Sequence, residues 1–320
     1  MAFLAPDEHD ILRWKLDETT GAYRNTGILL PNDASTDLTV VNTVDRASTG
    51  ILGLSCPNFP GTSNFPTGSS ATRNSIRGAK TINPTFPITL SCWVNLRFYS
   101  TVNNATLIGK QFRDTAITNA WTAPFHALNI TLLTTNSGQS WRVEVANSPT
   151  TKLTFTIDDF AIPLQQWSHI GLTYDGYALK AYLNGCECIY YSSGVQPLVV
   201  GVGAPIVYTN GTDGYGDWVA GAITATGSAN KEEANYMIQD IRVANIARTP
   251  NYFKTAYTLG ASPVTVSGAT QYYKLRAYDS ECTDDVPVIW IDTEISLANA
   301  PEAPCEGSYI DLEVLSTWFA

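Results

Sequence analysis

Residues 167–191 read Trp167-Ser-His-Ile-Gly-Leu-Thr-Tyr-Asp-Gly-Tyr-Ala-Leu-Lys-Ala-Tyr-Leu-Asn-Gly-Cys-Glu-Cys-Ile-Tyr-Tyr191. Ile170, Leu172 and Tyr174 alternate onto one face of a strand, and Leu179, Ala181 and Leu183 share a face of the next. Asp175-Gly176 and Asn184-Gly185 interrupt them with residues that tolerate the positive φ angles of a two-residue type I′ turn. The stretch predicts an antiparallel meander.

Working outward, Leu12, Trp14 and Leu16 fall on one side of a first strand. Residues 42–83, rich in Pro, Gly, Ser and Asn, predict surface loops with short edge strands. Ile88, Leu90, Cys92, Val94 and Leu96 define the inward face of a central strand, with Cys92 acting as a small hydrophobe. Further strands are expected at Leu128-Ile130-Leu132, Trp141-Val143-Val145, Leu153-Phe155-Ile157 and 236–243. The Gly-rich span 194–227 reads as a long loop, and Thr249-Pro250 as the cap and first turn of a short helix, 251–259. Three more strand patterns follow Gly260, at Tyr273-Leu275-Ala277, Ile289-Ile291-Ile295 and Ile310-Leu312-Val314.

The pattern Trp167-x-His169-Ile-x-Leu-Thr-Tyr-Asp-Gly176, continuing to Tyr182-Leu-Asn-Gly185, resembles the central signature of laminin-G-like, concanavalin A-type jelly-roll domains. Similar features recur in order at Leu12-Arg-Trp-Lys-Leu-Asp-Glu-Thr-Thr-Gly21, Ile88-Thr-Leu-Ser-Cys-Trp-Val94, Leu107-Ile-Gly-Lys110 and Ile238-Gln-Asp-Ile-Arg-Val243. The resemblance implies an all-β antiparallel sandwich over residues 1–261, followed by a small β extension or docking element over 262–320. It leaves function open, because one fold hosts many. Asp17 and Asp240 match positions that this family often holds as Asp, and they are expected to satisfy backbone amides.

Charge narrows the partners. The net charge of -10 is uneven: residues 1–261 hold 19 acidic and 17 basic residues, whereas 262–320 hold 10 and 2. Nucleic-acid affinity comes largely from Lys and Arg releasing counterions, so no such partner is expected. No apolar run is long enough for membrane insertion. The first ten residues have neither a basic segment nor an apolar run, which predicts synthesis in a cytoplasm without a secretory signal.

Catalytic patterns are missing. A retaining glycosidase needs two carboxylates about 5 Å apart. Asp292/Glu294 and Asp311/Glu313 place two on alternate strand positions, but the leading glutamate of the jelly-roll hydrolase motif is replaced by Trp290 or Tyr309. His9, His126 and His169 are scattered, and there is no nucleophile elbow, phosphate loop or zinc spacing. The expectation is a non-enzymatic protein without a cofactor.

Binding is better supported. Asn210, Asp213, Tyr215, Asp217 and Trp218 form a candidate glycan-binding loop, with an aromatic to stack on a sugar and polar groups for its hydroxyls. Asp213 and Asp217 are weak calcium candidates. Cys282 and Cys305 flank one predicted strand, a placement that allows a disulfide. The expected role is a virion structural protein of a bacteriophage, a capsid decoration, tail or fibre subunit. Its partners would be other virion proteins, further copies of itself as a homo-oligomer, and a host surface glycan. A secreted lectin-like module is the alternative, and a glycoside hydrolase is third.

Overall fold

The computed structural model describes residues 3–29, 33–41, 44–60, 74–98, 105–112, 126–133, 140–157, 161–188, 198–199, 205–212, 214–221 and 235–261, together with three tail strands. In chain order the strands are β1 (Asp10–Trp14), β2 (Leu38–Val41), β3 (Asp45–Thr49), β4 (Ser55–Pro60), β5 (Ser75–Gly78), β6 (Ile88–Phe98), β7 (Ala105–Gln111), β8 (His126–Leu132), β9 (Trp141–Ala146) and β10 (Lys152–Ile157). They continue with β11 (Trp167–Tyr174), β12 (Ala178–Leu183), β13 (Cys186–Glu187), β14 (Leu198–Val199), β15 (Trp218–Gly221) and β16 (Asn235–Ala244). Helix α1 (Pro250–Ala261) and tail strands β17 (Tyr273–Tyr278), β18 (Ile289–Ile291) and β19 (Tyr309–Val314) follow.

Two antiparallel sheets make the sandwich. A nine-stranded sheet runs β13-β12-β11-β6-β16-β4-β3, with β1 also on β16 and β14 on β12; a seven-stranded sheet runs β10-β9-β8-β7-β15-β5-β2. The expected alternation sets the register. Leu172 and Val243 both lie opposite Leu90 from the two sides of β6, and Ile170 lies opposite Cys92. These residues and their counterparts Leu128, Ile130, Val143 and Val145 fill one core. Each such side chain contributes about 1.5–3 kcal/mol by leaving water.

The outer face of the nine-stranded sheet is covered. Thr249 Oγ1 accepts from the Tyr252 amide at 3.4 Å, capping α1 with Pro250 in its first turn, as its sequence suggests. Phe253 stacks on Tyr182 with ring centroids 3.9 Å apart, and Tyr257 stacks on Trp93 at 5.9 Å. Gly171 admits the helix, since a Cβ there would lie 2.3 Å from Phe253 Cε1.

Three details differ from expectation. At the first corner only Gly176 has positive φ, 94°, while the Asp175 carboxylate accepts from the amides of Tyr177 and Ala178. The loop residues are Gly176 and Tyr177, and glycine in the first of those places is the type II′ arrangement. The second corner matches type I′, with Asn184 at 50° and Gly185 at 82°. The 42–83 stretch contributes more than edges: β5 lies inside its sheet, and Phe59 and Ile76 are buried. The supposed loop 194–227 contains β15, which lies between β7 and β5.

The tail strands pair as one antiparallel sheet, β18-β17-β19. Its register sets Asp311 opposite Arg276 and Glu313 opposite Lys274. Asp292, Glu294, Cys282 and Cys305 lie outside the described residues, and with them the proposed disulfide.

Candidate functional site

With α1 on one outer face, the contrasting face is the outer face of the seven-stranded sheet, whose central residues Gln111, Asn129, Thr131, Glu144 and Val219 are themselves buried. Its strands alternate as the core strands do, but their outward positions are polar: Gln111 on β7, Asn129 and Thr131 on β8, Arg142 and Glu144 on β9. The register aligns Thr39, Arg77, Val219, Gly109, Asn129, Glu144 and Thr154 into one row that crosses all seven strands. Gly109 and Val219, both buried, form the middle of this row. A Cβ on Gly109 would sit 2.9 Å from Asn129 Oδ1.

The polar groups along the row engage one another. Asn129 Nδ2 donates to Thr131 Oγ1 and lies 3.2 Å from His126 Nδ1 and 3.5 Å from Glu144 Oε2. Glu144 Oε1 stands 2.6 Å from Lys152 Nζ and 3.0 Å from Arg142 Nε. Burial, reinforced by Lys152 and Arg142, pulls His126 down to about 3, so its ring is neutral near pH 7. Gln111 Oε1 accepts from the Asp217 amide at 3.4 Å.

Among the buried side-chain atoms of this face that make no hydrogen bond with the described residues are Gln111 Nε2 and Asn129 Oδ1. A buried polar atom without a partner carries a desolvation cost of about 1–3 kcal/mol, which a ligand hydroxyl relieves. The arrangement gathers buried amide donors and acceptors and a neutral imidazole. These are groups that hydrogen-bond to neutral hydroxyls.

The residues of the expected loop divide between core and surface. Trp218 is fully buried; its ring packs 6.4 Å from Trp14 and its Nε1 donates to Ile82 O at 3.0 Å, so it belongs to the core and cannot stack on a sugar. Asn210 Oδ1 accepts from Thr212 N and Oγ1, closing its own turn. Tyr215 is 45% exposed, and Asp217 reaches the polar row through Gln111. Asp213 lies outside the described residues. Among those residues, no three His, Cys, Asp or Glu side chains gather as metal ligands.

Asp240 and His169 are structural. The Asp240 carboxylate takes Arg13 Nε at 2.8 Å and Arg242 Nε at 2.9 Å. Burial opposes its charge, but the two guanidinium groups hold its pKa below the ordinary value. Arg242 also reaches Asp10, tying the amino-terminal segment to β16. His169 lies 5.1 Å from Trp93 and 5.9 Å from Phe253, under α1.

Residues 68–251, more than half of the chain, match a laminin G-type model of the concanavalin A-like lectin/glucanases superfamily. The chain belongs to that superfamily. Among solved structures, this lectin-like sandwich is similar to the binding domain of botulinum neurotoxin serotype G, at 14% identity and a TM-score of 0.50, covering 83% of this chain and 56% of that one. It is also similar to Trypanosoma rangeli sialidase, at 12% identity and TM-score 0.48, covering 79% of this chain and 33% of the sialidase. A third is domain 4 of AbnA, an extracellular arabinanase of Geobacillus stearothermophilus in complex with arabinotriose, at 16% identity and TM-score 0.45, covering 78% of this chain and 98% of that domain. This superfamily member therefore spans about a third of the sialidase and just over half of the neurotoxin domain. At these identities the likeness shows the fold alone. No curated protein sequence matches the chain.

Sequence reading missed the polar row. Its members are cross-strand neighbours spread from Thr39 to Val219. The available signal was a set of polar residues at alternate positions inside otherwise apolar strands, such as Asn129 and Glu144.

Proposed function

We propose that this chain is a non-catalytic, lectin-like adhesion subunit that holds glycan hydroxyls on the outer face of its seven-stranded sheet. One observation carries the reading: Gln111 Nε2 and Asn129 Oδ1 are buried on that face without partners among the described residues. The setting we propose is a bacteriophage particle, with the chain a decoration, tail or fibre subunit. The acidic tail, a three-stranded β unit holding 10 acidic and 2 basic residues, would dock on a neighbouring virion protein or on another copy.

Hydrolysis is disfavoured by spacing. Glu144 and Asp217 are the carboxylates of this face among the described residues, and three strand spacings separate them, roughly 14 Å. Retaining and inverting glycosidases need about 5–5.5 and 6.5–9.5 Å. A glycan array, a reducing-end release assay on every ligand it finds, and mass spectrometry of purified particles test the three parts. Binding without hydrolysis, at stoichiometric copy number, is expected. Turnover of a bound glycan overturns the non-catalytic reading, and absence from particles overturns the setting.

A further inference from the structure

Strand β10 ends one side of the seven-stranded sheet and pairs with β9 through consecutive residue pairs from Lys152–Ala146 to Ile157–Trp141. Two hydrogen bonds fix the direction of the main chain here: Asn147 N donates to Thr151 O at 3.2 Å, and Leu133 N to Ser140 O at 2.9 Å. Main-chain groups alternate in direction along an antiparallel ladder, so Leu153, Phe155 and Ile157 bond to β9 while Lys152, Thr154 and Thr156 turn theirs outward. Among the described residues no main-chain hydrogen bond reaches that outward row. Thr154 is exposed, and Lys152, Leu153 and Thr156 are half-buried.

The other edges of the two sandwich sheets are blunted. Strands β13 and β14 have two residues each, and β3 is interrupted by a register shift between Asp45 and Ser48. On β1 the carbonyls of Asp10 and Arg13 accept from the amides of Ile28 and Thr26, and on β2 Leu38 exchanges two main-chain bonds with Tyr23. Strand β10 has neither bulge nor proline, and the charge at its start is taken up, since Lys152 Nζ lies 2.6 Å from Glu144 Oε1. A straight, unguarded edge of this kind is a template for another strand.

We propose that β10 pairs antiparallel with β10 of a second copy about a twofold axis at Thr154, joining two seven-stranded sheets into one. The strand's sequence suits its own reversal. Thr154 lies opposite Thr154 of the second copy, Leu153 opposite Phe155 and Lys152 opposite Thr156, so no like charges face each other across the ladder. The two Lys152 residues are four positions apart along it, roughly 14 Å, where salt screens their repulsion. The contact is the same patch on both chains, which closes a dimer and does not propagate a filament. It is independent of what the outer face of the sheet binds.

Sedimentation velocity of the full chain tests the pairing. One strand pair buries less than a standard interface, so a monomer–dimer equilibrium is expected over roughly 1–300 µM. T154P removes an outward N–H without costing a bond to β9, at an edge position where proline is tolerated. Its unfolding midpoint should stay near that of wild type, while association weakens by about tenfold or more because both copies lose the bond. Mild oxidation should link T154C into a dimer bridged at position 154, as read by peptide mass mapping, whereas T39C, exposed on the opposite edge, should not be linked. If T154P fails to fold, the cysteine pair decides. A wild type that stays monomeric through this range overturns the proposal. So does a folded T154P that associates as tightly as wild type, as docking through the tail would give, or a T154C that forms no bridge at position 154.

Discussion

His169 and Asn184 hold each other by two hydrogen bonds: the Asn184 side-chain oxygen accepts from the His169 amide at 2.9 Å, and the Asn184 amide donates to the His169 carbonyl at 2.8 Å. These residues stand at the two ends of the β11–β12 meander. Asn184 has a φ of 50°, so its main chain is already turning toward Gly185. The side-chain oxygen supplies the acceptor that a continuing strand would have provided. Asn184→Ala therefore loses a hydrogen bond and places a Cβ residue without a local polar partner in the left-handed region. We expect a loss of about 2–3 kcal/mol in urea unfolding, with Asn184→Gly losing less because it relieves the backbone.

Asp240 sits at a bulge in β16 with a φ of 48°, between Arg13 and Arg242. Asp240→Asn keeps the shape and the tolerance for positive φ but leaves two buried guanidinium groups facing a neutral amide. Removing one partner of a buried ion pair costs about 3–5 kcal/mol, so a large fall in Tm by calorimetry is expected. Lys180→Ala, which breaks a more exposed pair with Glu187, should change stability by less than about 1 kcal/mol.

Acid should destabilise the sandwich through its two buried histidines. Burial brings His126 and His169 each down to about 3, from an unfolded value near 6.5. Between those values the unfolded chain binds protons that the folded chain does not, so stability falls as pH drops from 6.5 toward 3. The slope approaches about 1.4 kcal/mol per pH unit for each histidine. His169→Phe, which preserves ring packing against Trp93 and Phe253, should remove one histidine's share of the slope in urea titrations at pH 4–7.

Trp218 and Tyr215 should separate core from surface. Trp218→Phe opens space beside Trp14 and leaves Ile82 O without its donor, so a loss of about 1–3 kcal/mol is expected. Tyr215→Ala, at an exposed position, should leave the unfolding midpoint within about 0.5 kcal/mol of wild type.

The meander, the inward face of β6 and the capped helix were legible because each is written in neighbouring residues: DG and NG corners, alternation from Ile88 to Leu96, and Thr249-Pro250. Strand β15 was hidden because Trp-Val-Ala-Gly is short, lies in glycine-rich sequence and becomes a strand through pairing with β5 and β7 on both sides. The polar row escaped for a related reason. Asn129 and Glu144 face each other only once β8 and β9 are in register, and Arg77 joins them through β15 and β7. Trp218 misled because an aromatic beside Gly, Asp and Tyr reads as a binding loop until burial is known.

The most direct measurement is an amide chemical-shift titration of the isotope-labelled chain with a glycan identified on the array. Saturable shifts are expected at 109–111, 126–131 and 141–146 on the seven-stranded sheet, with residues 169–173 beneath the helix unmoved. Shifts confined to the helix-covered sheet, or hydrolysis of the glycan during the titration, would contradict the assignment of this face as a non-catalytic glycan site.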